Sequence, residues 1–136
     1  MEWLSGDKTI TILNRVKAID SPSKVDTWYK TVVKDCMWTS RTNRTLNGKD
    51  VIISQSLVCR IPSHAQYKDY KQWVKDPNKF FTLVAGDYAI LGEVTEEITP
   101  QNILTIVNKY KPDAFQINSI RINAVGILDH YKIEGV

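Results

Sequence analysis

The chain has 136 residues, a formal net charge of +3, and 43% hydrophobic against 24% charged residues. This length favours a single domain, 1–136, large enough to bury a core without disulfides or metal. The balance excludes a disordered chain and falls well short of the charge of a dedicated nucleic-acid binder.

No apolar run can span a bilayer; Val51-Ile52-Ile53 is typical of the longest. Met1, Glu2 and Trp3 open an N-terminus without the basic head and apolar middle of a signal peptide, so folding in the cytoplasm is expected. The two cysteines, Cys36 and Cys59, lie in strand-like runs and read as buried thiols. A disulfide stays open if those strands pair, although a reducing compartment disfavours it. No CxxC or HxxxH spacing points to a metal.

Lys8 to Lys17 alternates partly and is rich in Thr and Ile, which predicts a first strand. Asp20-Ser21-Pro22-Ser23 is a turn cluster. Thr27 to Ser40 predicts a long strand with two partly apolar faces, Trp28/Val32/Cys36/Trp38 against Tyr29/Val33/Met37. Such a strand is covered on both sides or changes face at a bulge. Arg41 to Asp50 is polar and contains Asn47-Gly48, so a long hairpin loop 41–50 is expected.

Val51 to Ile61 carries the cleanest period of two. Val51, Ile53, Leu57, Cys59 and Ile61 share one face, interrupted by Gln55. This is the mark of a half-buried antiparallel strand, ended by Pro62. An insertion, 62–81, follows. Within it Tyr67, Tyr70, Lys71 and Val74 fall at helical spacing. Phe81 to Val94 predicts another strand, bent at Gly86-Asp87 and Gly92.

Thr99-Pro100 opens the firmest helix, 99–111, with Thr99 as cap and Pro100 at the first position. Ile103, Leu104, Val107 and Tyr110 form its apolar stripe, and Pro112 stops it. Ala114 to Val125 and Leu128 to Glu134 close the chain as strands. The fold class is therefore mainly β (α+β). About six strands form a small curled antiparallel β-barrel or sandwich with one firm helix and long loops.

No catalytic motif appears. His64 and His130 lack a partner at useful geometry, because the neighbouring Asp129 points to the opposite strand face from His130. No G-x-S-x-G, Walker, Rossmann or H-E-x-x-H pattern is present. The expectation is therefore no enzyme, no cofactor and no metal. The features left over suit binding. Arg41, Arg44, Asn47 and Lys49 decorate the hairpin, where phosphate or an acidic neighbour could be met. Trp28 and Trp38 are assigned to the core. Trp3, Tyr67, Tyr70 and Trp73 lie in the terminus and the insertion and are candidate aromatic anchors at a subunit interface.

The order of features also carries a resemblance. Ile10-Thr11-Ile12-Leu13-Asn14 is followed by Val32-Val33 with Trp38, then Arg60-Ile61-Pro62. Gly86-Asp87-Tyr88 precedes Gly92-Glu93-Val94, and after the helix come Ile117 and Ile120. The chain then runs His130-Tyr131-Lys132-Ile133-Glu134-Gly135. This resembles the small neck proteins of tailed phages and prophages of Gram-positive bacteria, of the head-closure or stopper type.

The resemblance implies a β-barrel with an added helix and long loops. It implies a homo-oligomeric ring between portal or adaptor and tail, assembled in the host cytoplasm and located in the virion neck. Such a ring retains packaged double-stranded DNA and gives the tail a docking surface, with no membrane contact. The insertion 62–81 departs from the family's loops. Two other readings stay open: a tail-completion (terminator) or tail-tube component, and a small OB-like barrel that binds single-stranded nucleic acid.

Overall fold

The computed structural model describes residues 7–62, 66–123 and 130–135. Strand β1 (Lys8–Val16) has apolar residues on both faces because both faces are covered. Ile10 and Ile12 belong to one buried cluster, and Leu13 belongs to a second. A short 3-10 turn, Ala18–Asp20, leads to β2 (Thr27–Asn47). Strand β3 (Asp50–Pro62) follows, then a four-residue helix α1 (Tyr70–Trp73) and β4 (Tyr88–Leu91). Helix α2 (Ile103–Tyr110), β5 (Ala114–Asn123) and β6 (His130–Gly135) complete the order.

The six strands close into an antiparallel barrel in the order β1-β2-β3-β6-β5-β4. Closure satisfies the ladder groups that an open sheet would leave at its edges. The interior is filled by Ile10, Ile12, Val33, Cys36, Cys59, Ile61, Phe115, Ile117 and Ile133, with Phe81 and Leu83 entering from the connection before β4. The second cluster lies outside the wall. Ile103, Ile106 and Val107 of α2 cover Leu13, Tyr88, Ile90 and Ala114. The expected stripe shifts by one contact here: Ile106 is buried and Leu104 is 61% exposed. The helix also starts later than Thr99. Thr99 caps a preceding turn instead, accepting from the Asn102 N–H at 3.2 Å and donating its own N–H to Asn102 Oδ1 at 2.7 Å.

Strand β2 is one strand in two ladders. Its first part, Thr27 to Cys36, pairs with β1; its second, Met37 to Asn47, pairs with β3. The change occurs at a bulge: Lys8 meets Cys36 while Ile10 meets Val33, and Asp35 takes a left-handed φ of 64°. The face change expected for this segment thus has a definite location.

Two boundaries need correction. The segment 41–50 is not a long loop. Its residues pair in register from Arg41↔Ser56 to Asn47↔Asp50, leaving only Gly48 and Lys49 as the turn. Gly48, with φ 66°, supplies the positive φ that this two-residue hairpin requires. The segment from Phe81 to Val94 is not one strand either. Gly86 and Gly92 adopt φ of 101° and 97°, and between these bends only Tyr88–Leu91 runs as strand.

Candidate interaction surface

The β2–β3 pairing outruns the barrel. β3 is joined to β6 only from Leu57 to Pro62, and β2 is joined to β1 only up to Cys36. Among the described residues, the stretch from Arg41↔Ser56 to Asn47↔Asp50 is a two-stranded arm with no further ladder partner. At ~3.3 Å per residue it projects on the order of 20 Å. Near its tip Leu46 and Val51 are cross-strand partners, 77% and 55% exposed. Arg44 and Lys49 are exposed beside them, as is Asp50.

The hairpin candidates are therefore gathered on one two-stranded element. Arg41, Arg44 and Asn47 hold ladder positions on β2, and Lys49 occupies the turn. At the arm's base, a hollow of about 410 Å³ opens between Gln55 and Leu57 of β3 and Lys111, Pro112 and Ala114 at the start of β5.

The aromatic candidates fare differently. Trp3 lies outside the described residues, as does His64. Trp73 is fully buried; its Nε1 donates to the Phe80 carbonyl at 3.0 Å and its ring meets Tyr29 edge-on at 6.0 Å. It is a core residue of the insertion, so its assignment to a subunit interface is withdrawn. Tyr67 packs between Phe81 and Tyr131, with centroids at 6.0 and 4.7 Å. Tyr70 is half-buried. Its hydroxyl donates to Asp20 at 2.8 Å and accepts the Lys17 N–H at 3.0 Å, pinning the 3-10 turn. A short helix does form in the insertion, at Tyr70–Trp73, but Tyr67 stands outside it in a β-bridge to Phe81 and Lys71 is exposed. Trp38 packs tilted against Phe115 at 5.2 Å and Trp28 against Tyr88 at 5.6 Å, each half-buried against the core.

Cys36 and Cys59 are both buried free thiols. The neighbouring Cys36 thiol and burial together push the Cys59 thiol well up. That favours the inert protonated form.

A buried polar knot, missed by the sequence reading, sits beside β4. Asn14 Nδ2 donates to the Thr82 carbonyl at 2.7 Å and to Asp87 Oδ2 at 2.9 Å, and the Thr82 N–H returns to Asn14 Oδ1 at 3.2 Å. Burial raises the Asp87 carboxyl to about 6, against the opposing hydrogen bond from Asn14. The knot fastens the connection 82–87 to β1.

Among the described residues no three His, Cys, Asp or Glu side chains converge as a metal site, and no helix is long and apolar enough to cross a membrane.

A family model described as a family of unknown function, DUF6751, matches residues 5–136. No curated protein and no solved structure matches the chain.

Proposed function

The chain belongs to the DUF6751 family, whose function is unknown; from the armed barrel and the resemblance of its sequence to neck proteins we propose that it is a structural subunit of a tailed-phage neck. In this reading copies form a ring between portal or adaptor and tail, closing the head and presenting a docking surface. The arm carries the proposal. A two-stranded ribbon is marginal in water on its own. This one holds Leu46 and Val51 out to solvent and joins them to the basic residues Arg44 and Lys49. Contact with another subunit would cover that apolar pair and complete unpaired backbone groups.

A ring requires heterologous contacts, one patch against a different one, and an arm reaching away from its own barrel suits that geometry. The test is co-expression with any portal, adaptor and tail proteins of the same genome, followed by size-exclusion chromatography and electron microscopy. A ring bound to the portal complex is expected. Association with the tail tube alone reassigns the chain to tail completion, and association with neither removes the reading.

A further inference from the structure

Three cations stand in one row on the outer wall of the barrel, away from the arm. Arg60 of β3 lies directly across from Lys132 of β6, and Lys132 lies directly across from Arg121 of β5. Directly opposed residues of neighbouring strands share a face, so the side chains stand together. Like charges in this register cost stability. Among the described residues none of the three makes an ion pair; the salt bridges there join Lys8 to Asp7, Arg15 to Asp26 and Lys109 to Glu96. The nearest acid on this face, Glu134, accepts from Ser56 Oγ at 3.3 Å. Arg60 and Lys132 are half-buried and Arg121 is exposed.

We propose that the row Arg60–Lys132–Arg121 is a contact face for the sugar-phosphate backbone of duplex nucleic acid. The spacing supports this. Neighbouring strands lie ~4.8 Å apart, so the row spans about 10 Å. One strand of a duplex carries a charge about every 3.4 Å along its axis, so a row laid along the axis matches the rise of roughly three phosphates. Two of the three residues are arginines, whose planar fork matches a phosphate better than an ammonium does.

The surroundings favour a polymer backbone over an acidic protein. Beside the row lies a small hollow of about 100 Å³, lined by Ser119, Arg121, Lys132 and Glu134. Its lining is polar, two cations and a hydroxyl with one acid, Glu134, which accepts from Ser56. Lys and Ser are depleted at protein–protein interfaces, whereas both, with Arg, make backbone contacts to nucleic acid. The row exists whatever the arm touches. In the neck reading it becomes the face turned toward packaged DNA, but the inference rests on strand register and charge.

The experiment is fluorescence anisotropy of the full chain with a labelled random-sequence DNA duplex across a salt series. Three phosphate contacts give a slope of log K on log salt near ~−2.7, which is on the order of forty-fold weaker binding between about 50 and about 200 mM salt. The triple variant Arg60→Gln/Arg121→Gln/Lys132→Gln should lose that slope and bind at least ~tenfold more weakly at the low-salt end. A charge-matched control, Lys71→Gln/Lys75→Gln/Lys79→Gln, removes three exposed cations of the insertion and should keep both.

Arg121→Gln alone should reduce the slope by about 0.9 and guards against a misfolded triple variant. The proposal is overturned if the wild type fails to bind duplex at low salt. Equal losses in the row and control variants overturn it too, as does polyglutamate binding more tightly than duplex. Because no portal or tail protein is present, the result is read separately from the ring experiment.

Discussion

Leu46 stands directly across from Val51 near the tip of the β2–β3 arm, and both side chains are more than half exposed. An apolar cross-strand pair in water contributes little to the barrel's own stability, because it removes little surface from solvent. Leu46→Ser/Val51→Ser should therefore leave the urea midpoint nearly unchanged, within about 0.5 kcal/mol. On the proposed neck reading, the same variant should lose association with the portal and tail proteins. A large drop in stability with assembly intact would place the pair inside the fold's own packing.

Asp87 predicts an unusual pH dependence. Its carboxyl rises from an ordinary 3.8 to about 6 on folding, so the folded chain holds the proton more tightly than the unfolded chain. The stabilisation is complete below about pH 3.8 and is lost as pH rises through about 6. The size is about 3 kcal/mol. Urea titrations from pH 4 to 7 should show this loss, superimposed on the other carboxylates, and Asp87→Asn should flatten it.

Asn14 completes the same knot with three hydrogen bonds. Asn14→Ala leaves the Thr82 backbone and the Asp87 carboxylate short of partners in a buried place. A loss of about 3 kcal/mol is expected by chemical denaturation. Hydrogen exchange should quicken first at Thr82, whose N–H loses its acceptor.

Gly135 is a packing requirement. It lies at the end of β6 between Leu57 of β3 and Ile117 of β5. A Cβ there would collide with the Gln116 carbonyl and come within 2.6 Å of the Phe115 ring. Gly135→Ala should destabilise by about 2 kcal/mol or more, because backbone rather than a flexible side chain blocks the space. A wild-type denaturation curve for this variant would show that β6 can shift.

Glu96 holds α2 to the strap before it. Hydrogen bonds from Lys109, at 2.9 Å, and Tyr110, at 2.7 Å, bring its carboxyl down to about 2. The tie is present above about pH 4.5 and is lost as pH falls toward 2. Carbon-detected NMR titration should place the Glu96 midpoint there, and Lys109→Met should move it upward. An unshifted midpoint in the variant would assign the depression elsewhere.

These sites differ in how far the sequence announces them. The alternation of Leu57, Cys59 and Ile61 is legible because these three share the face of β3 that turns to the barrel core. The buried thiols and the capped turn at Thr99 follow from equally local rules. The arm hides because a strand outside the barrel has no core to imprint a pattern on it; Arg41 to Asn47 is polar enough to pass for a loop. Phe81 to Leu91 misleads in the opposite direction. Its apolar residues are core-bound, yet the bends at Gly86 and Gly92 divide the segment. Trp73 shows a third limit: spacing reveals the helix, but only the tertiary fold decides that its ring turns inward. The Asn14–Asp87 contact spans 73 positions, and no local pattern encodes it.

β2 passes without a break from the β1 ladder, through the kink at Asp35, into the arm. The arm is thus the shorter end of a lever whose longer end is built into the wall. A load at Leu46 cannot be absorbed by a slack joint. It is delivered as shear to the β1–β2 ladder and to the Cys36–Cys59 corner of the core. Whatever grips the tip therefore gains mechanical access to the barrel, and the strain of docking is borne by hydrogen bonds a molecule's width away.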